Sequence, residues 1–326
     1  MRAAVVRAPG TPPAPAEHPD PIAGPGRSLV RVTAAPIVPL DLLCASGTSY
    51  FGTPAVPYVP GVQGVGVVEE SGRVPAGTRV WFATSAGMAP GDGGLAQWCA
   101  VADDDLVPLT ADVPDAAVAA IGLSGVAAWM SLSWRGRLRP GESVLVLGGG
   151  GAVGQAAIGA ARVLGASRVV AVCRSAAAQE RARAAGADPV VPASDDTDAL
   201  AAALAEACGR ADVVVDPVFG AAATAASRVL APGGRLVNLG GASGDQAVFS
   251  SAVLRGRSAE VLGYTNNALT PAQRRTALDA VLAAAATGRI AVAHETVPLA
   301  DVSRAWARQA TGDAGVRLVV VPDQYT

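Results

Sequence analysis

Charge is scarce in this sequence. Only 16% of its 326 residues are Asp, Glu, Lys or Arg, and the formal net charge is -2. Basic residues form no stripe, which argues against nucleic acid as a partner. Long apolar runs are missing too. The longest are strand-sized or broken by Gly and Arg, so no membrane span is expected. Four cysteines, Cys44, Cys99, Cys173 and Cys208, are scattered without a CxxC pair. Two of them fall in elements expected to be buried, and a reduced, cytoplasmic setting follows. The two histidines, His18 in a proline-rich loop and His294 at an expected strand, read as surface or packed residues. Met1–Gly10 already reads as a strand, so no signal peptide is expected there.

What is present is a large apolar fraction. Hydrophobic residues make up 51% of the chain. At this length they suffice for a sizeable core and two domains. The first hundred residues carry short β-like runs at 3–7, 28–34, 64–69 and 78–82, separated by Pro/Gly-rich connections, and this part reads as all-β and barrel-like. The stretch Pro9–Gly26 reads as an ordered surface loop. From about Asp112 helices alternate with apolar strands. Strands are expected at 143–147, 168–172, 211–215, 235–239 and 260–262. Helices are expected at 152–164, 176–185, 198–207, 221–230 and 271–287. That alternation argues for a parallel sheet covered on both faces. The tail returns to strand, helix (301–310) and strand (315–320).

One loop carries chemistry. In "SVLVLGGGGAVGQAAIGAARVLGASRVVAVCRS", Gly149, Gly151 and Gly154 fit G-x-G-x-x-G, with Gly148 and Gly150 as additional glycines. One glycine of such a loop lets the strand turn sharply. Another admits a pyrophosphate close to the backbone, and a third lets helix and strand pack closely. The helix start, with Ala152 and Val153, offers free N–H groups and a positive dipole end. The expected strand–loop–helix–strand order makes this a dinucleotide site. The second strand ends in Cys173-Arg174-Ser175, where an acid would select NAD. A guanidinium suits a 2′-phosphate, and Ser175 adds a hydroxyl. NADP(H) is therefore the expected cofactor. The other reading of Arg174 is a solvated residue at a strand end.

Several stretches together resemble one family: "VPLDLLCASGTSY", "VPYVPGVQGVGVVEESG", "GGLAQWCAVADDDLVPL", "RPGESVLVLGGGGAVG" and "RAAGADPVV". In order and spacing they resemble the medium-chain dehydrogenase/reductase superfamily, and within it the zinc-independent quinone oxidoreductase (zeta-crystallin-like) branch, with acyl-thioester enoyl reductases as near neighbours. The resemblance implies an α/β protein with a GroES-like β-barrel domain over residues 1–122 and 290–326. A Rossmann domain, a doubly wound parallel sheet that binds NADP(H), is implied over 123–289. A homodimer, a small-molecule substrate and no membrane partner are further implications.

Zinc-binding members carry a Cys three residues before the Asp of the first motif and His-Glu after a Pro-Gly. Here those places read Val38, before Asp41, and Val62-Gln63, after Pro60-Gly61; a later ligand place reads Leu123-Ser124. Apolar side chains offer zinc no lone pair, so no metal is expected. The enoyl reductases place a proton-donating Tyr in a loop after the first motif. Tyr50 falls near that place, as a proton donor or as a pocket-lining residue. The Val of "V-P-L-D" stands where many quinone reductases have Asn, which points to an altered substrate or a biosynthetic intermediate. Gly240 and Gly241 resemble the loop beneath the nicotinamide, and Asn238 either faces the site or ends its strand. Tyr264 and Asn266, in "GYTNNALT", resemble residues lining the site at the dimer edge. Arg317 stands where the family has Lys; it either approaches the cofactor or is an exposed strand residue. Trp129 and Trp134 read as packing residues.

Two functions stay open on these residues. The first is NADPH-dependent hydride delivery to a quinone or an α,β-unsaturated carbonyl. The second is an NADPH-binding sensor or non-redox tailoring protein of the same fold.

Overall fold

The computed structural model describes residues 1–322. Two compact units are present: Met1–Gly122 together with the chain from Ala293 onward, and Leu123–Val292.

The first unit begins with β1 (Arg2–Val5), β2 (Ala14–Glu17), β3 (Arg27–Pro36) and α1 (Pro39–Ser46). It continues with β4 (Gln63–Glu70), β5 (Arg79–Ala83), β6 (Trp98–Ala102) and β7 (Leu106–Pro108). β2 lies inside the stretch read as a loop and pairs antiparallel with β1. Its residues APAE have no apolar alternation, so only the pairing reveals it. β3 alternates between buried and half-exposed residues, burying Val30 and Val32 on one face. Its first residues pair with β6 and its last two with the chain's tail. The helix α1 was not legible beforehand: Pro39 opens it and Gly47, at φ 77°, closes it.

The helix α2 (Asp115–Met130) follows, and the division between the units falls within it, after Gly122. A Cβ at Gly122 would lie 1.9 Å from the Gln63 Oε1, so this position admits no larger residue. With the π-turn Ser131–Arg135, α2 forms a segment of 21 residues long and apolar enough to cross a membrane. The sequence reading, which took each Gly as a break, missed this run. The segment is mostly buried within the protein, as the core helix of a folded domain is.

The second unit alternates strand and helix: β8 (Ser143–Leu147), α3 (Ala152–Val163), β9 (Arg168–Cys173), α4 (Ala176–Ala184), β10 (Val190–Pro192) and α5 (Thr197–Cys208). Then come β11 (Ala211–Asp216), α6 (Gly220–Ser227), β12 (Leu230–Asn238), α7 (Ser251–Arg257), β13 (Glu260–Gly263) and α8 (Pro271–Ala286). The six strands are parallel, in the order β10-β9-β8-β11-β12-β13. This is a doubly wound sheet whose direction of winding reverses between β8 and β11. Runs such as Val144–Leu147 and Val213–Val215 are buried throughout, as strands covered on both faces must be. Leu230, expected at the end of a helix, instead starts β12.

The tail supplies β14 (His294–Pro298), α9 (Val302–Thr311) and β15 (Arg317–Val321) to the first unit. β15 pairs parallel with β14 and antiparallel with β3, within the seven-stranded sheet β14-β15-β3-β4-β5-β7 that β6 joins through β3. In α9, Val302, Ala305 and Trp306 recur at one helical face and are buried in the core with Leu318 and Val320. Ile290 belongs to the second unit, where Gly159 of α3 lies against it.

Candidate cofactor site

The carboxyl ends of β8, β9, β11 and β12 gather the chemistry of the second unit. Gly148 leaves β8 at φ 66° and begins the turn into α3. A Cβ at Gly150 would lie 2.5 Å from Ala178 of α4, and one at Gly154 would lie 2.3 Å from the Gly148 carbonyl. These two positions, with Gly149 packed on Ala171, hold loop, helix and neighbouring strand in contact. Gly151 differs: it is exposed, and a Cβ there would meet only the Gly148 carbonyl at 3.4 Å. It is the N-cap of α3 and supplies no side-chain cap, so the amides of the first helical turn, including Ala152 and Val153, point to an open end.

Two side chains not singled out in the sequence hold this loop. Gln155 Nε2 donates to the Gly150 carbonyl at 3.0 Å, and Arg181 Nε donates to the same oxygen at 3.0 Å. Both orient the Gly150 peptide from outside the glycine motif, so the motif's spacing gave no sign of them.

Arg174 leaves the end of β9 exposed, and its Nη2 donates to Ser243 Oγ at 3.3 Å. Ser175 is the N-cap of α4; its Oγ accepts from the Ala178 amide at 3.2 Å, and its hydroxyl proton remains able to donate.

The end of β11 is closed by Asp216. Its Oδ1 accepts from the amides of Val218 at 3.1 Å and Phe219 at 2.7 Å. Burial pushes this carboxyl up from its ordinary value. Phe219 takes φ 58° and ψ −151° at the N-cap of α6, a conformation worth about 1–3 kcal/mol of strain for a residue with a Cβ. On the next strand, Asn238 Nδ2 donates to the Gly240 carbonyl at 2.8 Å and to Asp216 Oδ2 at 3.3 Å. Asn238 therefore ties the ends of β11 and β12 together. Gly240 lies against the Pro217 carbonyl and Gly241 against Gly244, closing the loop.

The residues after β13 hold one another. The Tyr264 hydroxyl donates to Asn266 Oδ1 at 2.6 Å, and Asn266 Nδ2 donates to the Leu123 carbonyl at 3.1 Å. Trp134 meets the Tyr264 ring edge-on at 6.3 Å. Burial raises the Tyr264 phenol well above its ordinary value.

In the first unit, Asp41 is 1% exposed. Its Oδ2 accepts from the Val38 amide at 2.8 Å, and its Oδ1 accepts from the amides of Gly61 at 3.1 Å and Val62 at 2.9 Å. Val38 and Val62, at two of the places singled out as ligand positions in the sequence, thus give their backbone amides to Asp41. Gln63 Oε1 accepts from Trp81 Nε1 at 3.0 Å. Among the described residues no three His, Cys, Asp or Glu side chains are grouped to hold a metal. Arg317 is not an exposed strand residue: it is 8% exposed, and its Nη1 donates to the Ile37 carbonyl at 2.8 Å. Burial lowers its pKa to about 10, against the opposing pull of the Asp41 charge. Tyr50 is 79% exposed and lies on the Phe51 ring at 4.2 Å.

Comparison with known proteins accounts for both units. Residues 24–112 match the alcohol dehydrogenase GroES-like domain, and residues 152–283 match the zinc-binding dehydrogenase family. A mitochondrial enoyl-[acyl-carrier-protein] reductase from Xenopus tropicalis is 31% identical over 72% of this chain and 67% of its own length. A quinone oxidoreductase from Mus musculus is 36% identical over 42% of this chain and 41% of its own length. The chain belongs to the medium-chain dehydrogenase/reductase superfamily.

A mycobacterial protein solved in complex with NADPH superimposes with a TM-score of 0.87 at 25% identity, covering 99% of this chain and 100% of its own. The fold is that of the nicotinamide-dependent oxidoreductases of this superfamily, which act on small molecules.

Proposed function

We propose that this superfamily member is an NADPH-dependent oxidoreductase that works without zinc. Its substrate is an α,β-unsaturated carbonyl or a quinone, and the altered Val38 favours a specialised biosynthetic intermediate. One observation carries the cofactor reading: Arg174 and the hydroxyl of Ser175 stand exposed at the end of β9, one strand from the uncapped start of α3. The loop Gly148–Gly154, with Ala152 and Val153, suits a pyrophosphate. Arg174 and Ser175 suit the 2′-phosphate that distinguishes NADPH.

When bound, NADPH supplies a hydride. This chain's residues bind and orient. Gly240 and Gly241 form the loop on the nicotinamide side, and Tyr264 and Asn266 brace the segment after β13. Arg317 with Asp41 fixes the start of α1. Tyr50 is assigned as the proton donor, its phenol free to turn toward a carbonyl oxygen. Val38, Val62 and Gln63 in place of ligands support the reading that no metal takes part. We further place the protein in the cytoplasm, as a homodimer joined through the outer strand β13.

The test is a fluorescence titration with NADPH and NADH, followed by acceptor screening with an enoyl thioester and a quinone. Binding of NADPH at least tenfold tighter than NADH, with NADPH oxidation by one acceptor class, is expected. Tight binding without turnover on any acceptor would favour the sensor reading. Equal binding of both nucleotides would remove Arg174 from the site.

A further inference from the structure

The strained residue Phe219 asks for a function. Its backbone lies where glycine is at home, and three hydrogen bonds keep it there. Asp216 Oδ1 takes the amides of Val218 and Phe219, and the Val218 carbonyl accepts from the Ser243 amide at 2.7 Å. The Phe219 ring is half-buried, meeting Phe249 edge-on at 6.2 Å. Filling the core does not require such a backbone. Leu200 and Leu204 of the same core layer stand on the helix α5, and Leu230 stands on β12.

The position of the loop is informative. On one side, Val218 lies against the glycine loop: a Cβ at Gly148 would be 2.8 Å from its Cγ1. On the other, Ser243 links the loop to Arg174. We propose that Phe219 is the platform for the adenine base of the nucleotide, presented by a backbone held in a glycine-like conformation. This rests on the NADPH reading above. With the 2′-phosphate at Arg174 and the pyrophosphate at Gly148–Gly154, the adenosine lies between those two loops. Phe219 is a half-exposed aromatic ring whose own loop adjoins both. An aromatic face accepts a purine by stacking, without requiring a hydrogen bond to the base.

The experiment compares the wild type with Phe219→Leu and Phe219→Tyr, using 2′,5′-ADP and inorganic pyrophosphate as competitors of NADPH. 2′,5′-ADP carries the base; pyrophosphate reads the glycine loop alone. Phe219→Leu is expected to weaken 2′,5′-ADP about tenfold, and Phe219→Tyr to stay within about twofold of the wild type. Pyrophosphate is expected to bind all three proteins alike. Unchanged 2′,5′-ADP binding in Phe219→Leu would overturn the proposal while leaving the NADPH reading intact. An equal loss of pyrophosphate would overturn it too, by showing that the ring only supports the loop. A wild-type protein that binds no nicotinamide dinucleotide would overturn both readings.

Discussion

Arg174 Nη2 donates to Ser243 Oγ at 3.3 Å and so joins the end of β9 to the loop after β12. A guanidinium held by one weak neutral bond keeps its other donors for an anion. Charge-assisted bonds of that kind contribute about 1.5–3 kcal/mol each. Arg174→Ala is therefore expected to weaken NADPH by about ten- to a hundredfold. NADH, which lacks the 2′-phosphate, is expected to bind nearly unchanged. Fluorescence titration of both nucleotides checks the ratio.

Asp41 makes a second test, through pH. Burial raises its carboxyl to about 6, above the ordinary carboxylate range, despite three backbone donors and the Arg317 charge. A carboxyl raised in the folded state holds its proton where the unfolded chain has lost it. Its contribution is fully present below the unfolded value and is lost as pH rises through about 6. The stability of the wild type relative to Asp41→Asn should thus grow as pH falls from 7 to 4, by about 3 kcal/mol in all. Urea unfolding of both proteins at pH 7, 5.5 and 4 measures the difference, and a flat difference would contradict it.

The parallel sheet and its glycine loop were legible because β8, β9 and β11 carry continuous apolar runs and the loop's glycines are spaced by the packing of α3. Arg174 and Ser175 were legible for the same reason, since a strand end fixes where the next residues stand. The first unit was less so. β2 has no alternation to read, and α1 is short and begun by a proline between two loops. Gln155, Arg181, Asp216 and Ser243 act through single hydrogen bonds between loops distant in sequence, and residue type alone does not announce them. For Arg317 the sequence left two readings open, an approach to the cofactor and an exposed strand residue, and its burial excludes only the second. Its burial depends on the Ile37 carbonyl and the Asp41 charge, 280 and 276 positions away in the chain.

Among the described residues no group of side chains is arranged to hold a metal, and this gives a third prediction. Val38 and Val62 offer only backbone amides, and both donate to Asp41. Prolonged dialysis against a chelator is expected to leave turnover and NADPH affinity unchanged, and elemental analysis of the purified protein is expected to find less than one tenth of an equivalent of zinc. Stoichiometric zinc whose removal abolishes turnover would refute the assignment.

Tyr50 is the sharpest catalytic test, because its exposure separates chemistry from stability. At 79% exposed, with its ring on Phe51, the hydroxyl supports no packing that Phe cannot also provide. Tyr50→Phe is therefore expected to leave the thermal midpoint and NADPH affinity unchanged. If the phenol donates the proton that completes enone reduction, kcat with an enoyl thioester should fall about a hundredfold. A quinone takes its proton on oxygen, which water can supply, so its reduction should fall far less. A loss confined to the enoyl thioester would establish Tyr50 as the donor. A kcat unchanged from the wild type on both acceptors would return Tyr50 to the surface and leave protonation to solvent.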